Sequence, residues 1–222
     1  ALPPHGTALI NQNSKFKVQN YNAKCKVLYY AVGQKADFEA QDVKVGKDAV
    51  SFQLGGVYFR VSVYGGHNVQ NLTGAIAASR EMGMSLEEIA KACETITPDL
   101  GALKVKRGVN GVTVIDSTYS ANPDGVIADL EYLSLYEGKK ILIMPCLIEL
   151  GKASKDAHRK IGEKIGQVCD LAIITTKEHF GDIREGSNQS DKLIYMESVQ
   201  EILEKVKNSV KPGDAISLES RL

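Results

Sequence analysis

The sequence predicts an α/β protein: a doubly wound parallel sheet over residues 108–222, preceded by an antiparallel meander and two helices in residues 1–107. Two observations favour this fold. After Gly111, apolar strand-like runs alternate with helical patterns, which is typical of a parallel sheet covered on both faces. Before that point, apolar and polar residues alternate within short runs, as in antiparallel strands with one exposed face. The change of pattern near residues 104–109 predicts a domain boundary there.

The first half is predicted to contain several extended segments and one clear β-hairpin. Apolar and polar residues alternate over 50–54 and again over 57–63, and Gly55-Gly56 lies between the two runs. Two glycines in this position are the signature of a two-residue hairpin turn. Two earlier runs, 7–11 and 25–30, are also predicted to be strands.

Two helices are predicted to follow the hairpin. The first covers about residues 68–82. The second begins at Ser85, whose hydroxyl forms a capping box with Glu88 three residues later. Its apolar stripe continues to Ile96, and Pro98 is predicted to end it.

The second half is predicted to contain five strands and four helices. Three of the helices begin at residues that cap well, namely Asn122 followed by proline, Ser154, and Ser198 followed by glutamate three residues on. The remaining helix is expected near 178–184. The strands are predicted at 112–115, 140–146, 171–175, 193–196 and 214–218.

The composition excludes several classes of protein. The 222 residues carry 27 Lys and Arg against 27 Asp and Glu, and this zero net charge argues against a general nucleic-acid or membrane-surface binder. A content of 43% hydrophobic and 24% charged residues is that of a globular chain, and the apolar runs are too short to cross a bilayer. The four cysteines lack the spacing of a zinc site and are predicted to be buried thiols in a reducing cytoplasm.

Three polar constellations stand out once the common catalytic motifs are excluded. The sequence contains no phosphate loop, no glycine-rich dinucleotide motif and no nucleophile elbow. The first constellation follows a strand, where Asn68 and Asn71 share one face of the first helical turn. Their carboxamides can read an adenine edge, because each offers a donor and an acceptor. Alternatively, Asn68 simply caps the helix.

The second and third constellations follow predicted parallel strands. Asp116 ends one strand at the carboxyl edge of the sheet, where ligands bind in open α/β folds, and its carboxylate can accept ribose hydroxyls. Glu149 follows the next strand, and with His158 on the next helix it can orient a substrate amine. The alternatives are a solvated Asp116 beside a helix cap at Asn122, and a surface carboxylate beside a partly buried histidine.

Taken in order, these segments resemble the Mur ligase family, the ATP-dependent amide-bond ligases of peptidoglycan precursor synthesis. Residues 66–71 (GHNVQN) resemble the family's G-x-H-N-x-x-N. Residues 116–124 (DSTYSANPD) resemble D-[SD]-x-Y-x-A-N-P-D, and 149–151 (ELG) with His158 resemble its E-L-G…H stretch. The match is most similar to the branch that adds D-alanyl-D-alanine to the UDP-muramoyl tripeptide. The family's arginine before the last domain is absent, since Ala102 stands there.

The resemblance implies a domain assignment for the chain and the nature of its ligands. Residues 1–107 would be the end of a central ATPase domain, and 108–222 a Rossmann-like C-terminal domain. The chain starts at Ala1 without a methionine and is expected to be a fragment, inactive alone because the phosphate loop and main magnesium ligands lie upstream. The implied ligands are ATP with Mg, a cell-wall precursor, and an amino acid or dipeptide. No metal site in this chain, no nucleic acid and no membrane insertion are expected, and the location would be cytoplasmic.

The resemblance also implies a role for individual residues. Nucleotide contacts are implied for His67, Asn68, Asn71 and Asp116, substrate contacts for Tyr119, Asn122 and Asp124, and amine-side catalytic roles for Glu149 and His158. Two other readings stay open. One is a folylpolyglutamate-type or pseudomurein-type ligase of the same fold, and the other is a non-catalytic binding module that lacks the phosphate loop.

Overall fold

The structure is a computed structural model that describes residues 3, 5–14, 25–98, 103–119, 121–188 and 191–220. The chain divides into two compact units, Ala1–Pro98 and Asp99–Leu222. Among the described residues, no helix combines the length and the hydrophobicity needed to cross a membrane.

The first unit combines one sheet with two helices. Its strands lie side by side in sequence order, β1-β2-β3-β4-β5. The elements are β1 (Thr7–Asn11), β2 (Lys26–Val32), β3 (Phe38–Val45), β4 (Val50–Leu54), β5 (Val57–Val61), α1 (His67–Glu81) and α2 (Leu86–Cys93).

The predicted meander is confined to β3, β4 and β5, which pair antiparallel. The hairpin at Gly55-Gly56 is confirmed, and both glycines have positive φ, of 57° and 81°, as a tight β4–β5 turn requires. In contrast, β1 pairs with β2 and β2 with β3 in parallel. Alternation identifies a strand but carries no information about the direction of its partner, so the parallel pairing was not predictable from the pattern. Strand β3 itself was also not predicted.

Both helices of the first unit pack on the apolar core of its sheet. The rings of Phe52 and Phe59 stack with centroids 5.4 Å apart, and both helices pack against this layer. The capping box of Ser85 and Glu88 is confirmed. The helix ends at Cys93 and not at Pro98, because the backbone then turns to hydrogen bonds that span three residues. The predicted helical residue Ile96 therefore packs on the core from beyond the helix end.

The second unit contains the five predicted strands and four predicted helices. Strand order is β10-β9-β8-β11-β7-β6, and all neighbours are parallel except β6 and β7. The strands are β6 (Lys104–Arg107), β7 (Thr113–Ser117), β8 (Lys140–Met144), β9 (Leu171–Ile174), β10 (Leu193–Tyr195) and β11 (Ala215–Glu219). The helices are α3 (Pro123–Leu133), α4 (Ser154–Val168), α5 (Phe180–Ser187) and α6 (Val199–Lys207).

Strand β6 is the element that sequence reasoning missed in this unit. Three of its four residues are Lys or Arg, so it shows no apolar period, and such charge is common on an edge strand. It pairs antiparallel with β7 and so joins the second sheet, although the predicted boundary left residues 104–107 in the first domain. The division between the compact units falls earlier, after Pro98.

Both faces of the parallel sheet are covered, as its apolar strands predict. Ile141 and Ile143 of β8 pack with Ile202 of α6 on one face, while Leu142 and Met144 are buried on the opposite side. Helices α4 and α5 approach closely through glycines: a Cβ at Gly162 would overlap the Ile183 carbonyl oxygen, and a Cβ at Gly186 would overlap the Arg159 carbonyl oxygen. Because these positions lack a Cβ, the backbones of the two helices can lie in direct contact.

Candidate functional site

A pocket of about 640 Å³ lies at the carboxyl ends of β7, β8, β9 and β11. Parallel strands deliver their following loops to one edge of the sheet, and such an edge is the usual ligand site of an open α/β fold. The pocket brings together two of the predicted site residues, Tyr119 and Glu149. The lining residues are Tyr119, Ala121, Pro145, Cys146, Leu147, Ile148, Glu149, Thr176, Glu178 and Ser220.

Two of these lining residues have a positive backbone φ, which residues other than glycine rarely adopt. Glu149 has a φ of 63° and Ser220 a φ of 60°. A non-glycine residue in the left-handed region carries a conformational cost, and such residues concentrate at functional sites. The Glu149 side chain is exposed, so its carboxylate is available to a ligand in the pocket.

His158 lies behind the pocket and is completely buried. Its Nε2 accepts a hydrogen bond from the Leu147 amide at 2.9 Å, so Nδ1 carries the ring proton and donates to the Ser154 carbonyl oxygen at 2.7 Å. Burial lowers the pKa of His158, which favours the neutral ring. His158 therefore supports the segment that lines the pocket, and both ring nitrogens are already engaged with the backbone.

Asp116 lies at the predicted edge but is already bonded within its own unit. Its Oδ2 accepts from Lys106 Nζ at 2.6 Å, while its Oδ1 accepts from the Thr118 hydroxyl at 2.7 Å and the Thr118 amide at 3.2 Å. The Lys106 and Thr118 hydrogen bonds lower the pKa of Asp116 to about 2. A carboxylate oxygen accepts about two hydrogen bonds, so Oδ2 keeps capacity for one ribose hydroxyl.

The three residues of segment 116–124 for which substrate contacts are predicted differ in their surroundings. The Tyr119 side chain is 73% exposed at the pocket, where it can contact a ligand. Asn122 Oδ1 accepts from the Gly125 amide at 2.9 Å, which makes it the N-cap of α3. Asp124 lies in the first turn of that helix, where its charge complements the helix dipole. Neither Asn122 nor Asp124 lines the pocket.

The predicted adenine-binding residues lie in the first unit, at the start of α1. Asn68 Nδ2 donates to the Tyr64 carbonyl oxygen at 2.7 Å, and Asn68 Oδ1 accepts from Asn71 Nδ2 at 3.2 Å. Asn68 is thus not the N-cap, which is Gly66. Among the described residues, Asn71 Oδ1 has no hydrogen-bond partner, so its exposed carboxamide presents an acceptor beside its second N–H. The neighbouring His67 is exposed.

Sequence reasoning missed a buried acidic pair in the second unit. Ser117 Oγ donates to Asp129 Oδ2 at 2.5 Å, and Ser217 Oγ donates to Glu219 Oε1 at 2.6 Å. Burial, together with the charge of Asp129, raises the pKa of Glu219 to about 9. The sequence feature that could have revealed this pair is an acidic residue within an otherwise apolar segment, Asp129 in α3 and Glu219 in β11.

No metal site is present in the part of the chain that the structure describes: no three His, Cys, Asp or Glu residues are grouped to hold an ion. All four cysteines are free. Cys93, Cys146 and Cys169 are buried as predicted, whereas Cys25 is only half-buried. Burial raises the pKa of Cys169 to about 12, so it behaves as an inert apolar residue.

Comparison with known proteins gives the same two-part division. The family model "Mur ligase, glutamate ligase domain" matches residues 103–221, and "Mur ligase middle domain" matches residues 1–79. A UDP-N-acetylmuramoyl-tripeptide–D-alanyl-D-alanine ligase of Bacillus subtilis (strain 168) is 26% identical over 199 residues, which cover 86% of this chain and 44% of that protein. The corresponding ligase of Mycobacterium leprae (strain TN) is 28% identical over 190 residues, or 76% and 37% of the two chains.

Two solved structures share the fold. MurF from Acinetobacter baumannii superposes with a TM-score of 0.84 at 26% identity, over 99% of this chain and 49% of that chain. MurF from Thermotoga maritima, solved in complex with ADP, gives a TM-score of 0.80 at 19% identity, over 98% and 51% of the two chains. The chain therefore spans about half the length of these proteins, and less than half of the curated relatives.

Proposed function

Because the chain belongs to the Mur ligase family, we propose that it is the nucleotide- and amine-side portion of an ATP-dependent peptide ligase of peptidoglycan precursor synthesis. The observation that carries the proposal is the pocket at the carboxyl edge of the second unit, which Tyr119 and Glu149 line. Both relatives described above are named for muramoyl-tripeptide ligation. Their names favour this reading over a folylpolyglutamate-type or pseudomurein-type ligase.

The proposed reaction joins the carboxylate of a cell-wall precursor to the amine of an amino acid or dipeptide. ATP transfers its γ-phosphoryl group to the carboxylate and leaves as ADP. The ammonium group of the second substrate gives up a proton, and the neutral amine attacks the acyl phosphate through a tetrahedral intermediate. Phosphate leaves, and the nitrogen loses a further proton to give the amide. Holding the two reactants together in a site that excludes water is the main physical contribution to such a reaction. The location is expected to be cytoplasmic, where the nucleotide is available.

We assign the amine side to the pocket of the second unit. The exposed carboxylate of Glu149 can accept hydrogen bonds from the incoming ammonium group, and a charge-assisted bond of this kind is among the stronger ones. Tyr119 supplies an aromatic surface and a hydroxyl beside it. His158 acts on this site as a positioning residue through the Leu147 amide. Asn122 and Asp124 begin α3, which follows the Tyr119 segment.

We propose nucleotide contacts for His67, Asn68 and Asn71 in the first unit and, separately, for Asp116 in the second unit. The exposed carboxamide of Asn71 offers the donor and acceptor that an adenine edge needs, and Asn68 orients it through their mutual hydrogen bond. Asp116 Oδ2 keeps capacity for one ribose hydroxyl beside Lys106. The described residues hold no metal cluster, and the main Mg ligands are expected in a preceding segment. Because the sequence contains no phosphate loop, the chain alone is expected to bind ligands without hydrolysing ATP.

Calorimetric titration of the 222-residue chain with D-alanyl-D-alanine tests the amine-side assignment. Replacing Glu149 by Gln removes the charge and should weaken dipeptide binding by about one to two decades, because a charged hydrogen bond contributes roughly 1.5–3 kcal/mol. Glu163→Gln is the matched control, since Glu163 is exposed on α4 and lies outside the pocket lining. Equal affinities for wild-type and Glu149→Gln chains would remove Glu149 from the site.

A further inference from the structure

A chain of hydrogen bonds beside the pocket joins an aspartate, a histidine and a serine. Asp182 Oδ2 lies 2.8 Å from His179 Nδ1, and His179 Nε2 lies 2.8 Å from Ser154 Oγ. A nucleophile within hydrogen-bond reach of a base, with a third group orienting the base, is the structural signature of an activated nucleophile. The ligase function proposed above does not use these three groups.

A second histidine determines which nitrogen can take the serine proton. His158 Nε2 accepts from the Leu147 amide, so its proton is on Nδ1, which donates to the Ser154 carbonyl oxygen. This Nδ1 lies 3.3 Å from Ser154 Oγ but already carries a proton, so it cannot accept another from the hydroxyl. His179 Nε2 is therefore the ring nitrogen positioned to receive the Ser154 proton.

The orientation of His179 follows from its other contact. An ionised Asp182 can only accept a hydrogen bond, so the proton of a neutral His179 ring is on Nδ1, where it faces Asp182. The lone pair of Nε2 then points at the Ser154 hydroxyl. The two histidine rings also stack, with centroids 4.3 Å apart and an angle of 15° between their planes, which restricts rotation of the His179 ring.

The three groups are attached to rigid elements and remain accessible. Ser154 is the first residue of α4, and His179 immediately precedes α5. The glycine contacts between these helices fix the distance between them. The His179 and Asp182 side chains are 31% and 23% exposed, and Ser154 is half-buried. All three residues therefore present part of their surface to solvent, in contrast to the completely buried His158.

We propose that Ser154 is an activated nucleophile that accepts acyl or phosphonyl groups from small electrophilic esters, with His179 as its general base. With a phosphonofluoridate, a bond forms from Ser154 Oγ to phosphorus, the hydroxyl proton moves to His179 Nε2, and the phosphorus–fluorine bond breaks to release fluoride. With a carboxylic ester, Oγ attacks the carbonyl carbon, and the alcohol leaves with the proton returned from His179. Asp182 keeps the His179 ring in the required tautomer throughout.

A fluorophosphonate probe tests this proposal on the purified 222-residue chain, with peptide mass spectrometry to give the labelling rate of each serine. Ser85 and Ser198 are internal controls, because both stand at helix starts but contact a glutamate and a backbone amide in place of an imidazole. General-base catalysis contributes about a hundredfold or more. Ser154 should therefore be labelled about a hundredfold faster than Ser85 and Ser198. A rate advantage below tenfold would overturn the proposal.

Two variants separate activation from mere exposure. His179→Gln removes the base while keeping a polar side chain, and should reduce Ser154 labelling to the level of Ser85. Asp182→Asn should reduce it at least tenfold, because the amide can favour the wrong tautomer of His179. Thermal melts and the unchanged labelling of Ser198 identify folded variants. Ser154 labelling that persists at the wild-type rate in folded His179→Gln would also overturn the proposal.

Discussion

The carboxyl edge of the second unit has two layers of polar groups, one exposed to solvent and one buried within the protein. The upper layer, with Tyr119 and Glu149, is exposed and lines the pocket. The lower layer, with His158, Asp129 and Glu219, is buried and hydrogen-bonded within the protein, except that Glu219 Oε2 has no hydrogen-bond partner among the described residues. The difference indicates that changes in the lower layer should affect stability first, whereas changes in the upper layer should affect ligand binding first.

The largest expected effect is that of His158→Ala. The substitution leaves the buried Leu147 amide without its acceptor and opens a cavity, so the free energy of unfolding should fall by about 2–4 kcal/mol. His67→Ala is the control, because His67 is exposed and should change it by less than about 0.5 kcal/mol. Urea unfolding gives both values. Similar losses in the two variants would contradict a distinct buried layer.

Glu219 should make stability fall as pH rises. Its folded pKa of about 9 lies above the ordinary value of 4.5, so between these values the native state holds a proton that the unfolded state releases. This contribution is complete below pH 4.5 and is lost as the pH rises through the folded pKa. Glu219→Gln should flatten the dependence, and stability measured from pH 5 to 8.5 checks it. An identical slope in the variant would mean that Glu219 is ionised in the folded protein.

Asp116 should show the opposite dependence and a smaller effect. Its pKa is lowered to about 2 from 3.8, so its stabilisation is present above pH 3.8 and is lost as pH falls towards 2. At neutral pH, Asp116→Asn should lower stability by about 1 kcal/mol by weakening the Thr118 and Lys106 bonds. If Asp116 also contacts ribose, affinity for ATP should fall about tenfold per folded molecule. Unchanged affinity in calorimetry would leave Asp116 with a structural role only.

Asn71→Ala is expected to give the smallest effect, and on binding alone. Asn71 is exposed within α1, so stability should change by less than about 0.5 kcal/mol. Losing one neutral hydrogen bond to adenine should weaken ATP binding by about 0.5–1.5 kcal/mol. Titration of ATP beside a thermal melt measures both. Gln70→Ala, one position earlier, is a neighbouring control that should leave ATP affinity unchanged.

Local patterns predicted most of the fold, whereas pairings between distant residues were not predictable. The Ser85 capping box and the Gly55-Gly56 hairpin depend on residues close in sequence, and the structure confirms both. Strand β6 has no apolar period, because edge residues such as Lys106 face solvent. The parallel pairing of β1 with β2 depends on partners far apart along the chain, which alternation cannot reveal.

The same distinction holds at the candidate site. The position of Glu149 after a parallel strand predicted that it lies at the ligand edge, and it lines the pocket there. The burial of His158 and the pairing of Asp129 with Glu219 arise only when α3 and α4 pack on the sheet that contains β11. The sequence shows that these residues are polar. Their burial depends on packing between distant segments, which the sequence pattern does not reveal.

The most direct test of the central claim is an amide chemical-shift titration of the 222-residue chain with D-alanyl-D-alanine, with L-alanyl-L-alanine as the control ligand. We expect the largest shifts at Tyr119, Leu147, Glu149 and Ser220, which line the pocket, with little change along α1. Weaker shifts with the L,L-dipeptide would show that the pocket recognises configuration. Shifts confined to residues outside the pocket, or none at all, would contradict the assignment of this edge as the amine site.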